Sequence, residues 1–183
     1  MLRNVLRVTN SVISGSSALH FLDVDRAPLW SATDLDIYTP IHCARQIVNY
    51  LCNVEGYHIV QEPVPSKYPH LRSGFATVFH LRRDLSEIDV IQSCTRSALY
   101  PIPYFWGTHV MNYLTADTFC VAYPEYTLEG KSLLNPVALV DKQHPNVRML
   151  TNMDKYTERG YAFRKLVPVS FSSRALYDII LFR

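Results

Sequence analysis

The chain has 183 residues, 48% of them hydrophobic and 19% charged, with a formal charge of +2. That length and balance fit one compact domain with room for a small appended lobe, and they exclude a disordered segment. The charge is too small to announce nucleic acid by itself, and no apolar run approaches the ~20 residues of a membrane span.

Residues 11–14 read as a short buried strand. Ser17-Ala18-Leu19-His20-Phe21-Leu22 follows with helix-forming composition, and Ser16 is placed to cap it. Asp23 to Thr33 is polar, contains a proline and reads as a loop. Asp34 to Thr39 alternates acidic and apolar residues, the period of a half-buried strand. Pro40 opens a second helix, in which Ile41, Ala44, Ile47, Val48 and Leu51 form an apolar stripe and which Gly56 stops. Tyr57 to Val60 is a strand, and Gln61 to Ser73, with three prolines, is a loop. Phe75 to Leu81 and Ile88 to Ile91 are two further strands joined by a hairpin turn at Arg83 to Ser86. The first half is β-α-β-α-β-β-β in outline.

In the second half, Tyr100-Pro101-Ile102-Pro103-Tyr104 resists regular structure. His109 to Thr115 and Met149 to Arg159 have the composition of short helices, and Thr118 to Tyr123 fits strand or helix. The expected architecture is α/β in the α+β sense. A mixed sheet flanked by helices spans 1–94, and a mainly helical extension over 95–183 packs on it.

Three acidic residues stand out. Asp34 and Asp36 are two apart on a strand, so their side chains share a face while Leu35 and Ile37 point into a core. Converging carboxylates repel unless something positive lies between them, and a hard dication with oxygen ligands fits. Asp89, inside the apolar run Ile88-Asp89-Val90-Ile91, would be a costly buried charge without a partner. A third carboxylate there allows two ions ~3.5–4 Å apart, the spacing of two-metal phosphoryl transfer. Gly15 permits close backbone approach, and Ser16 with the first N–H groups of a helix makes a phosphate cradle. Singly, each feature has an ordinary explanation: surface acid, plain turn, solvated residue. Together and in this order they point to a site for divalent metal and a phosphorylated ligand.

An apolar–Gly–Ser turn, a helix, Asp-Leu-Asp on a strand and then a single strand Asp resembles the DNA polymerase beta-like nucleotidyltransferase superfamily over about residues 11–93. Ile-Ser-Gly-Ser-Ser-Ala-Leu with Asp-Leu-Asp-Ile-Tyr, Val-Met-Asn-Tyr-Leu-Thr (110–115) and Tyr-Thr-Glu-Arg-Gly-Tyr (156–161) resembles fungal proteins of that type. The resemblance implies a nucleotidyltransferase-like sheet in which Gly15 and Ser16 hold the triphosphate. It implies that Asp34, Asp36 and Asp89 ligate Mg²⁺ or Mn²⁺, and that Asp89 helps deprotonate the attacking hydroxyl. The implied chemistry is in-line attack on an α-phosphate with pyrophosphate leaving. The substrate would be a nucleoside triphosphate and the acceptor an RNA or a protein. The Gly-Ser to Asp-Leu-Asp gap is longer than that pattern has, with Asp23 to Thr33 as the insertion; it either lines the rim or displaces the cradle. A supporting N-terminal helix is expected to be short or missing.

Triphosphate binding needs a further cation, for which Arg45, Arg82 and Arg83 are the candidates, with Lys142 and Lys155 behind them. Tyr104-Phe105-Trp106 reads as a core plug or as a stacking platform for a base. His109 reads as a structural histidine. Lys155, Arg159, Arg164 and Lys165 read as a solvated helix face or a basic patch for RNA. Cys43, Cys52, Cys94 and Cys120 lack zinc-site spacing and read as reduced, mostly buried thiols. Met1 to Val8, with Arg3 and Arg7, imitates a transit peptide, but cleavage would remove the strand before the Gly-Ser turn; a cytoplasmic or nuclear protein is expected. Two rival functions remain: a non-catalytic nucleotide or RNA binder of the same fold, and an Asp-x-Asp glycosyltransferase using a sugar nucleotide.

Overall fold

The computed structural model describes residues 2–61, 63, 74–136 and 147–165. The loop expected after Gln61 lies almost wholly outside them, as does Lys142.

The chain opens with a short helix, α1 (Leu2–Thr9), the first of the two outcomes the sequence left open. Leu2, Val5 and Leu6 form one apolar face and join the main core. Asn10 adopts a positive φ of 49°, and Ser11 N–H donates to Leu6 O at 2.9 Å, so an αL residue closes the helix end. Arg3 and Arg7 on the outer face both reach Asp117, at 3.1 and 2.5 Å. These arginines tie α1 to the turn between two later strands.

Strand β1 (Val12–Ser14) runs into helix α2 (Gly15–Leu22). Ser14, not Ser16, is the cap residue, and its hydroxyl donates to Asn112 O at 2.6 Å instead of to the helix. Strand β2 (Asp34–Thr39) follows the insertion. Helix α3 (Ala44–Asn53) starts four residues later than Pro40 suggested. His42 has φ 75° and the Ile41 N–H is drawn to Thr95 O at 2.7 Å, so residues 40–43 make a turn before the helix. Then come β3 (His58–Gln61), β4 (Phe75–Arg83) and β5 (Ser86–Ser93). A two-residue loop, Asp84-Leu85, joins the last two.

The main sheet has the order β3-β4-β5-β2-β1-β6-β7, with β6 (Tyr113–Leu114) and β7 (Phe119–Cys120) supplied by the second half. It is mixed: β2 and β5 are parallel and the other neighbours antiparallel. One face is the core under α1 and α3, where Ile37, Val90, Leu81, Ile47 and Leu51 are essentially inaccessible to water. Burying each such side chain contributes about 1.5–3 kcal/mol. On the other face, Tyr38 and Ile91 are covered by Ala98, Ile102 and Met111.

The rest of the extension comprises a one-turn helix α4 (Pro124–Thr127), strand β8 (Lys131–Leu134), helix α5 (Val147–Glu158) and strand β9 (Ala162–Lys165). Strands β8 and β9 pair in parallel as a separate two-stranded sheet. The helix expected over His109 to Thr115 is a 3-10 turn at Thr108–Val110 running into β6, because β1 offers Tyr113 and Leu114 a sheet edge. α5 starts two residues before the expected helix. The extension packs on α2 through Leu19, Val110, Tyr156 and Tyr161. The four cysteines are half-buried, more exposed than expected. Among the described residues no helix is long and apolar enough to cross a membrane.

Candidate active site

Alternation along β2 puts Asp34 and Asp36 on the face opposite Ile37, which enters the α1/α3 core. Parallel pairing sets Asp36 beside Asp89 and Asp34 beside Glu87. Partners in register on parallel strands point the same way, so four carboxylates share one face. Asp36 is partly buried. Burial first, and then the charges of Asp34 and Asp89, push its carboxyl up to about 7. Burial also raises Asp89, with His80 opposing it. Beneath them the phenol of Tyr38 is raised by burial and by Asp36, Asp89 and Asp34. The arrangement is an excess of negative charge facing away from the core.

The Gly-Ser turn meets this cluster directly. Gly15 has φ 69°, and a Cβ there would collide with Asp36 Oδ2. Only glycine both takes that backbone angle cheaply and leaves the carboxylate its place. The Ser16 hydroxyl lies 3.4 Å from Asp34 Oδ1, Thr33 Oγ1 lies 3.3 Å from the same oxygen, and Ser17 Oγ donates to Asp34 O at 2.6 Å. Because Ser14 makes no side-chain cap, the first N–H groups of α2 are left for another acceptor. The insertion leaves this turn against β2.

Sequence reasoning missed His80. Strand β4 pairs it with Asp89, and its Nδ1 is 2.7 Å from Asp89 Oδ1. The hairpin register held the signal: Arg83 opposite Ser86 forces His80 opposite Asp89. Arg82 lies on this face too, but it is bound to Glu87 through Nε at 3.0 Å and also through Nη2. Arg45 is not at the site. It projects from α3 over the Phe79 ring at 5.0 Å, and Phe79 belongs to the opposite face of the sheet. Arg83 likewise stacks on Tyr57 at 4.7 Å and donates to Glu55 O at 2.5 Å.

Helix α5 supplies the positive charge that α3 does not. Lys155 is near enough to Asp36 to pull its carboxyl down against burial and its neighbours. Tyr156 is pushed up to about 12, mainly by burial, with Asp36 and Asp34 adding and Arg159 opposing. Arg159 is 7% exposed, with its guanidinium 4.0 Å from the Trp30 ring centre and 4.8 Å from that of Tyr156. Phe105 meets Tyr38 edge-on, and Trp106 packs on Tyr156, Phe163 and His109, so these two aromatics are core. His109 is fully buried, its Nδ1 2.7 Å from Ser132 Oγ, and burial with nearby Arg159 lowers it to about 3.

The donor set suits an oxygen-seeking dication: carboxylates share one face, and one of them, Asp36, is raised by burial and by its acidic neighbours. Among the described residues, no three His, Cys, Asp or Glu side chains are grouped closely enough to close around an ion.

No protein-family model and no curated protein matches this chain. Among solved structures, a "tRNA-processing enzyme (apo form I)" matches 98% of it with a TM-score of 0.57 and 12% identity. The match covers 44% of that enzyme, so this chain spans less than half of its length. The likeness is one of fold: a nucleotidyltransferase-like mixed sheet flanked by helices.

Proposed function

We propose that the chain is a metal-dependent nucleotidyltransferase that moves a nucleotide from a nucleoside triphosphate to an acceptor hydroxyl. The observation that carries this reading is the register of β2 on β5, which sets Asp36 beside Asp89 with Asp34 on the same face. The fold shared with a tRNA-processing enzyme supports a nucleotide-handling role. Asp34, Asp36 and Asp89 would hold Mg²⁺ or Mn²⁺, which when bound neutralises phosphate charge and acidifies the acceptor hydroxyl.

The chain's own groups do the rest. Gly15 and Ser16 hold the triphosphate at the start of α2. Asp89 accepts the acceptor's proton, and His80 at its Oδ1 fixes which oxygen faces the hydroxyl. The acceptor oxygen bonds to the α-phosphorus as the bond to the bridging oxygen breaks, and pyrophosphate leaves with the electron pair. Arg82 reaches the triphosphate only by leaving Glu87.

The test is incorporation of labelled nucleotide with release of pyrophosphate across a panel of triphosphates and acceptors. Asp89→Asn should lower the rate at least about 100-fold while keeping nucleotide binding, because it loses a metal ligand and a proton acceptor but keeps its shape. The rival reading is a non-catalytic nucleotide binder of the same fold. Nucleotide binding without turnover on any acceptor, with either metal, would select that reading.

A further inference from the structure

The start of β2 is the least supported part of the acidic face. Strand β1 accompanies β2 only from Asp36 onward, so at Asp34 the strand has β5 on one flank and Ser16 and Ser17 of α2 on the other. The chain enters there from residues 23–33, the insertion that lengthens the Gly-Ser to Asp-Leu-Asp gap. Its regular structure is one 3-10 turn, Ala27–Leu29. A loop of this kind does not fix the strand end that it feeds unless other elements hold it.

The extension holds this loop at both ends. At its start, Asp23 is 2% exposed, and Arg26 Nη1 donates to its two oxygens at 3.0 and 3.1 Å and to Leu128 O at 3.1 Å. The Tyr161 hydroxyl donates to Asp23 Oδ2 as well. The fit is close: a Cβ on Gly130 would lie 2.5 Å from Arg26 Nε. At the loop's other end, Arg159, the residue after α5, is buried between two rings. Its guanidinium is 4.0 Å from the Trp30 ring centre and 4.8 Å from that of Tyr156, and its Nη2 makes a long contact to Ser31 O at 3.4 Å. A desolvated guanidinium stacked on an indole is a directional contact, so it fixes where Trp30 stands.

We infer that Arg159 is a positioning residue for Asp34: by holding Trp30 and Ser31 it sets where β2 begins, and so where the Asp34 carboxylate stands beside Asp36 and Asp89. This rests on the reading of those carboxylates as a metal site. Ser31 is three residues before Asp34, so Arg159 acts through the chain and not on the ion. The Asp23–Arg26–Tyr161 cluster anchors the start of the same loop, which keeps slack from being passed along it to β2. The corner between α5 and β9 thus grips the one connection between the Gly-Ser turn's helix and the acidic strand.

Two measurements on the full chain test this, and neither needs turnover. The first is hydrogen–deuterium exchange without metal. Arg159→Gln should speed exchange of the amides of residues 30–36 at least about 10-fold while α3 and β4 stay as protected as in the native chain. Where that variant does not fold, Arg159→Lys, which keeps the charge but loses the flat stacking fork, takes its place. The second is Mn²⁺ affinity in a double-mutant cycle of Arg159→Lys with Asp34→Ala. Arg159→Lys alone should weaken Mn²⁺ binding at least about 5-fold, and in the Asp34→Ala background it should add less than about 2-fold, because its effect is carried by Asp34. The charge is conserved, so a change of field does not explain the loss. Equal weakening in both backgrounds, which a merely structural role gives, or unchanged exchange at residues 30–36, would overturn the assignment. If the native chain binds no Mn²⁺, the metal-site reading falls, and exchange still decides whether Arg159 sets the start of β2.

Discussion

At the scale of the residue, the site depends on Asp36. Its neighbours are a glycine that has no room for a Cβ and two carboxylates, and its carboxyl rises from 3.8 to about 7. A folded-state value above the unfolded one means that the native state binds the extra proton. Its contribution is present below about pH 4 and is lost as pH rises to about 7, on the order of 4 kcal/mol at 1.36 kcal/mol per unit. His109 works the other way. Its lowered value makes stability rise between about pH 3 and 6.5, so the two trends offset each other in the native chain. Comparison with Asp36→Asn isolates the first. In urea unfolding without metal, the variant's stability relative to the native chain should increase steadily from about pH 4 to 7. Parallel pH profiles would place Asp36 in an ordinary solvated setting. The acidic trio and the Gly-Ser turn were legible in the sequence because strand alternation and glycine's backbone freedom are local properties. His80 was not, because its role exists only across the β4–β5 register.

At the scale of the element, strands were more legible than helix positions. Alternation and apolar runs located β2 to its residue limits, and the polar Arg83 to Ser86 turn marked the β4–β5 hairpin. Helix α1 was hidden by its length of eight residues and its two arginines, and it is stable through tertiary contacts with α3 rather than by propensity. The rotation of a helix about its axis is also a tertiary property. For that reason Arg45 read as a triphosphate cation in the sequence, yet in the fold it stacks on Phe79 across the sheet. Arg45→Ala should therefore leave the nucleotide-induced thermal shift unchanged and cost about 0.5–1 kcal/mol of stability. Loss of the shift without loss of folding would return Arg45 to the site. The second half was least legible, since its short strands take their structure from the edge of β1 and from each other, not from a period of their own.

At the scale of the whole molecule, a seven-stranded mixed sheet separates two tasks. One face is sealed under α1 and α3. The other is apolar under residues 98–111 and acidic toward the start of β2 and β5. The extension is built into the same structure: it lengthens the sheet through β6 and β7, fixes β1 through Asn112, and brings Lys155 of α5 to the acidic end. The central claim is that the acidic face binds a metal-bound nucleotide. The most direct measurement is the melting temperature of the full chain with Mg²⁺ or Mn²⁺ and a panel of nucleoside triphosphates, compared with Asp34→Ala, Asp36→Ala. In the native chain a triphosphate at about 100 times its dissociation constant should stabilise by ~2.7 kcal/mol. In the double variant the shift should vanish while the metal-free stability stays equal or rises, because carboxylate repulsion is relieved. A ligand shift of the same size in the double variant would place nucleotide binding elsewhere and contradict the account.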